Sequence, residues 1–328
     1  WIAGAALDLP EDGPGPSRDL GSQRGTVLAL IRSRARALYG LERPDEASAT
    51  LVRTLDAVAD ADLDEAAELI FEAHRQERWP MVVQLASQVL ARAPGCAYAL
   101  WIRGAAQGKT GDLDAALTDL RASLGAPLET RRGFGDAIHD SLAEVFVLRG
   151  EYEQALQQAD AALDLAPRKI PSLEMKARAL LALGRIDEAC AVLDRCMDRV
   201  DPGVGLNLSY LLYPLCEGKL FDLALAYADR LLRLALGSTT RSLAPVRRMA
   251  RVLLTAEVPD GPPAELGPRA GNMLVLMRVR IRSLYGLGRT RDGEEVLGAS
   301  LAATHDRELA DAAELLYEAH HRGDHGVV

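Results

Sequence analysis

Residues 136–169 read DAIHDSLAEVFVLRGEYEQALQQADAALDLAPRK. Apolar residues recur at intervals of three and four, as in Leu156, Ala159 and Leu163, which is the spacing of one helix face. In the middle, LRGEYE at 148–153 interrupts the pattern with a turn signal centred on Gly150. The stretch therefore predicts two helices joined by a tight turn.

The same arrangement repeats outward from it. LERPDE at 41–46, KTGDLD at 109–114, LGRIDE at 183–188 and LGRTRD at 287–292 are further turn signals between helical segments. Gly150, Gly184 and Gly218 lie 34 residues apart, and Gly111 lies 39 before Gly150. Glu77 and Glu42 hold the corresponding places further back, at intervals of 34 and 35. Gly288 follows Gly218 by 70, near two periods, and Gly323 follows by 35 more. The longer interval is explained by five extra residues around RRGFGD at 131–136. That segment contains GxG but follows no strand, so a phosphate-cradling loop is not expected. A helical hairpin at this size cannot bury its own apolar face, so neighbouring hairpins must stack into a continuous core.

Small residues recur where two helices of a hairpin would meet: Gly104, Ala143 and Ala177 in first helices, Ala116, Ala155 and Ala189 in second helices. With these, the chain resembles the tetratricopeptide (TPR) repeat, W-x2-L-G-x2-Y, then A-x3-F, then proline. Over 136–169 the matching places hold His139, Leu142, Ala143, Phe146, Ala155, Ala159, Ala162 and Pro167. Over 97–130 they hold Leu100, Arg103, Gly104, Gln107, Ala116 and Leu120, with Pro127 one place early. Over 170–203 they hold Leu173, Ala177, Leu180, Ala189 and Leu193. The resemblance implies an all-α, TPR-like α-solenoid, a right-handed superhelix of helix-turn-helix repeats. It divides the chain into a linker or tail at 1–24, an array of about six repeats at 25–237, an irregular helix and Pro-rich loop at 238–270, and further repeats at 271–328.

One stretch is written twice. AELIFEAHRQ at 67–76 returns as AELLYEAHHR at 313–322, and 25–74 aligns with 271–320 without a gap at a constant offset of 246. That offset is close to seven periods of 35, so the copies share one register of the array. The chain opens on Trp1 and stops as a helix begins after Gly323, from which the expectation is a longer gene product.

In the TPR family the first helix of each hairpin lines the concave groove. Carried over by position, the resemblance places Arg32, Arg36 and Tyr39, then Phe71, His74 and Arg75, then Tyr98, Trp101 and Lys109 on that face. Asp140 and Glu144, Glu174 and Arg178, and Leu208 and Leu212 follow. Arg278, Arg282 and Tyr285, then Tyr317, His320 and His321, complete the set. The ends of the groove are thus expected to be basic and aromatic, its middle acidic and then apolar. Arginine grips carboxylate or phosphate with two donors, and aromatic rings supply rigid contact area. The expected partner is a protein or peptide, with an acidic or phosphorylated segment suited to the arginines. The competing reading leaves these arginines as a solvated helix face balanced by nearby carboxylates. Chaperone-tail binders of the family use Lys, Asn and Arg on successive first helices; here those places hold Trp101 and Ala105, Asp140 and Glu144, and Glu174 and Arg178, so that activity is not expected.

Bulk properties narrow the rest. Of 328 residues, 48% are hydrophobic but only 5% aromatic, which suits closely packed helices. A net charge of −9 argues against nucleic-acid binding, which needs a large basic surface. Cys96, Cys190, Cys196 and Cys216 form no CxxC pair and read as reduced thiols of a cytoplasmic protein. No apolar run reaches the ~18 residues that span a bilayer. EAHHRGDH at 318–325 gathers histidines across a turn and is not HExxH, so no metal site is expected. Neither a catalytic constellation nor a cofactor motif stands out. The leading expectation is a protein–protein interaction scaffold that does no chemistry of its own. The alternatives are the substrate-recruiting or regulatory region of a larger enzyme, such as a glycosyltransferase, sulfotransferase or ATPase, and self-association of array ends.

Overall fold

In the computed structural model, seven helices among the described residues end on one backbone device. Glu42, Glu77, Gly111, Gly150, Gly184, Lys219 and Gly288 adopt left-handed backbone, with φ between 53° and 90°. The residue after each donates its amide to the carbonyl five positions back: Arg43 to Leu38 (2.9 Å), Arg78 to Ala73 (3.2 Å), Asp112 to Gln107 (3.0 Å), Glu151 to Phe146 (2.9 Å), Arg185 to Leu180 (2.8 Å), Leu220 to Leu215 (2.9 Å) and Arg289 to Leu284 (2.9 Å). This is the Schellman closure, which satisfies carbonyls that a helix end leaves over. The described residues are 23–130, 133–197, 209, 212–240, 243–263, 265–266 and 270–305.

The closures fall on the expected grid with one correction, while its last member, Gly323, lies outside the described residues. Glu42 and Glu77 occupy the left-handed position although a side chain there is strained. Gly218, taken as a turn marker, instead has φ −74°, and Lys219 carries the left-handed backbone. The turn lies one residue later than the glycine suggested.

The chain divides into two units, Trp1–Pro167 and Arg168–Val328. In the first, α1 (Arg24–Gly40) pairs with α2 (Pro44–Ala57), and a helical run over 63–74 (α3) pairs with α4 (Trp79–Arg92). Next come α5 (Ala97–Thr110) with α6 (Leu113–Gly125), and α7 (Gly135–Arg149) with α8 (Tyr152–Leu165). The α3 run is not one uniform helix: a 3-10 segment, Ala67–Ile70, separates Leu63–Ala66 from Phe71–His74. No proline or glycine explains the change, and its copy at 313–320 lies outside the described residues.

Close approach within hairpins rests on the small residues. A Cβ on Gly104 would lie 2.8 Å from Leu120 Cγ and 3.0 Å from the Ala116 carbonyl. Ala116, Ala143, Ala155, Ala177 and Ala189 are fully buried. Successive hairpins are tied by polar contacts about one period apart. Arg92 donates to the Leu55 (2.8 Å) and Val58 (2.6 Å) carbonyls, Trp101 Nε1 to the Ala137 carbonyl (3.1 Å), and Arg149 pairs with Asp114.

In the second unit α9 (Ile170–Ala182) pairs with α10 (Ile186–Met197), and the short α11 (Tyr213–Glu217) with α12 (Phe221–Gly237). The stretch 238–270, expected to hold an irregular helix and a Pro-rich loop, contains α13 (Ala244–Thr255). It buries Val246, Met249, Ala250, Val252 and Leu253 and packs on α12, α14 (Ala270–Gly286) and α15 (Thr290–Ala303). Its Arg248 holds the Pro-rich loop through the carbonyls of Pro259 (2.6 Å), Asp260 (2.9 Å) and Gly261 (3.1 Å). Each unit is thus all-α and TPR-like in its hairpins, with no strand among the described residues.

Candidate partner-binding face

The first helices of the first unit carry the expected arginines, and each meets a carboxylate one period on. Arg32 Nη2 donates to Glu68 at 2.9 Å. Arg36 reaches Glu72 with Nε at 3.2 Å and Nη2 at 2.7 Å. These bonds strengthen the hold of the Arg36 guanidinium on its proton. Glu72 is nearly inaccessible, yet a second guanidinium, that of Arg75, lies 3.8 Å from it. Two cations thus share one buried carboxylate, which leaves positive charge facing solvent.

Beside them lies a cluster of rings. Phe71, 38% exposed, stacks on His74 at 5.4 Å with 11° between planes. His74 meets Trp79 edge-on at 5.1 Å and Trp101 at 6.5 Å. Trp101 is edge-on to Tyr98 at 5.1 Å and stacks on Phe134 at 5.5 Å, while Tyr98 meets Phe134 edge-on at 5.2 Å. Such offset and T-shaped arrangements are the favoured ones for rings. The chain has only three tryptophans and four phenylalanines, and two of each are here. Burial, helped by the Lys109 charge, pulls the His74 imidazole below its ordinary range, against Glu144 and Glu77. Burial also pushes the Tyr98 phenol up.

Of the expected face residues, Arg32, Arg36, Phe71, His74 and Trp101 come together here, with Arg75 and Tyr98. Tyr39 does not: it is buried with Leu38 and Ala47, its hydroxyl 3.5 Å from Ser48 Oγ. It faces the second helix of its own hairpin and serves as core. Trp101 is also less open than expected, 7% exposed with Nε1 bonded to the Ala137 carbonyl and to Ser141 Oγ, both at 3.1 Å.

In the second unit Arg278 donates to the Tyr213 hydroxyl at 3.4 Å, Arg282 is half-buried near Cys216, and Tyr285 packs over Gly293. Tyr317, His320 and His321 lie outside the described residues. Two members of the ring cluster escaped the sequence reading. Trp79 opens a second helix, and Phe134 sits in the RRGFGD segment that lengthens one interval. Five extra residues carrying an aromatic were the available signal.

Residues 137–196 match the model of the family described as anaphase-promoting complex, cyclosome, subunit 3. That is a TPR-type repeat family, so the repeats of this region are of the TPR type. Among solved structures, the TPR domain of P58(IPK) matches at 13% identity over 90% of this chain and 80% of that one, with a TM-score of 0.30. No curated protein matches.

Proposed function

We propose that the α1–α3–α5 face of the first unit binds an extended segment of a partner protein that carries a carboxylate or phosphate. The observation behind this reading is the Arg36–Glu72–Arg75 arrangement beside the half-exposed Phe71 ring. A guanidinium not saturated by its own carboxylate offers paired donors to an anion, and a neighbouring ring supplies contact area at little entropic cost. The role is one of binding, without a reaction of its own. Burial pushes the Cys96 thiol up to about 12 and raises that of Cys216, which keeps both out of the nucleophilic thiolate form. Free thiols at Cys96, Cys190 and Cys216 suit a reducing, cytoplasmic setting. No helix among the described residues is long and apolar enough to cross a membrane.

The test uses peptides selected from a random library on the full chain. Arg75→Glu and Phe71→Ala should each weaken the selected peptides about tenfold, a hot-spot loss of roughly 1.4 kcal/mol, with helicity by circular dichroism unchanged. Affinity indifferent to both substitutions rejects the face.

A further inference from the structure

The five-residue lengthening at 131–136 delivers a ring onto this face. Phe134 precedes α7, and its carbonyl accepts the amides of Ala137 (3.0 Å) and Ile138 (3.1 Å), starting the helix. Gly133 before it has φ +93°, a conformation that L side chains rarely adopt. The ring lies flat on Trp101, 28° between planes, and edge-on to Tyr98. It comes from outside the repeat period, and the described connectors before α3, α5 and α9, at 58–62, 93–96 and 166–169, carry no such ring.

We propose that Tyr98 and Trp101 form a subsite for an aromatic side chain of the partner, and that Phe134 is its internal occupant, displaced when the partner docks. This deepens the partner-binding reading and rests on it. The chain itself shows which chemistry fits, because a phenyl ring is seated there in both stacked and edge contacts. The indole asks for nothing polar: Trp101 Nε1 already has two acceptors. The charges at its rim are paired as Lys109 with Glu144 and Arg32 with Glu68. An uncharged ring is therefore favoured over a guanidinium or ammonium group. Tethering gives Phe134 a high effective concentration, so a partner ring must compete with it.

The probe is a synthetic peptide of residues 130–136, TRRGFGD, and its alanine counterpart TRRGAGD, titrated to millimolar concentration into the full chain. Binding is read from amide NMR shifts of residues 74 and 98–101. Phe134→Ala should bind the phenylalanine peptide saturably. The unmodified chain should bind it about three- to tenfold more weakly, the span that one ring pair commands, and TRRGAGD should bind neither. Phe134→Leu keeps apolar bulk and repeats the test if the alanine variant loses helicity. Equal binding to the unmodified chain and the variants, or none to either variant, overturns the subsite. If library-selected peptides still depend on Phe71 and Arg75 while both variants ignore TRRGFGD, the partner face stands and the subsite falls. If nothing perturbs the face, both fall.

Discussion

The α1–α2 hairpin and the α14–α15 hairpin are the same element in different surroundings. Their helices run over Arg24–Gly40 and Ala270–Gly286, then Pro44–Ala57 and Thr290–Ala303, every boundary displaced by 246. Both close through a left-handed residue, Glu42 in one and Gly288 in the other. Both then repeat one ion pair at the second helix, Arg43 with Glu46 and Arg289 with Asp292, each at 2.6 Å. Ile31 and Met277 are buried alike, as are Leu38 and Leu284. The two differ in what packs on them. Arg34 is exposed, whereas Arg280 at the same place is 8% exposed, its guanidinium on Asp229 of α12 and its Nε 2.5 Å from the Leu253 carbonyl of α13. Local sequence sets where helices begin and end, while the neighbouring elements set which residues become core.

The largest effect that comparison predicts is at the arginine pair. Arg280→Met removes the cation but leaves Asp229 and the Leu253 carbonyl in place. Breaking a buried pair from one side costs up to about 5 kcal/mol. Because Asp229 retains some solvent access, about 2–4 kcal/mol is expected from denaturant unfolding. Arg34→Met should change stability by less than about 0.5 kcal/mol, as exposed substitutions do. Equal effects at the two positions would mean that α12 and α13 do not enclose α14 as described.

A smaller contrast lies at the ends of the first helices. A Cβ on Gly40 would meet nothing within 4 Å, whereas one on Gly286 would fall 2.3 Å from the Phe221 ring. Gly40→Ala should therefore stabilise by a few tenths to about 1 kcal/mol, through the lost freedom of the unfolded chain. Gly286→Ala should cost about 1–3 kcal/mol by overpacking, unless Phe221 turns away. Thermal melts of the two variants, moving in opposite directions, are the measurement.

The turn grid was legible because every hairpin needs a left-handed closure at a fixed place. Spacing alone found Glu42 and Glu77, where composition offered no clue. Relying on glycine misplaced one closure, since Lys219 takes the strained conformation beside an ordinary Gly218. In the candidate face, first-helix position located Arg32, Arg36, Phe71, His74 and Trp101. The competing reading put carboxylates beside Arg32 and Arg36 without naming Glu68 and Glu72, although the 36-residue separation of each pair is itself close to one period. Tyr39 was misread because a helix face is broad, and one ring at its margin turned towards the second helix. Trp79 and Phe134 lay off the first helices, so no positional rule pointed to them.

The smallest effect concerns His74, whose place in the second copy is held by His320, outside the described residues. His74 sits among Phe71, Trp79 and Trp101, and burial lowers its proton affinity below the ordinary value of 6.5. Below that pH the unfolded chain takes up a proton that the folded chain resists, so protons favour unfolding. The contribution of His74 to stability is therefore complete above pH 6.5 and is lost as pH falls through its lowered folded value. Melting temperature should fall between pH 7 and pH 5, and His74→Gln should flatten part of that slope while leaving the carboxylate-driven loss at lower pH. Lys109→Gln should act in the same sense from a distance: without that cation the imidazole protonates more readily in the folded chain, and the slope shrinks. An acid slope identical in His74→Gln and the unmodified chain would place the ring in water and dissolve the stack that sets this hairpin apart. Running His320→Gln beside it shows whether the second copy titrates in the same way, which extends the comparison past Thr304.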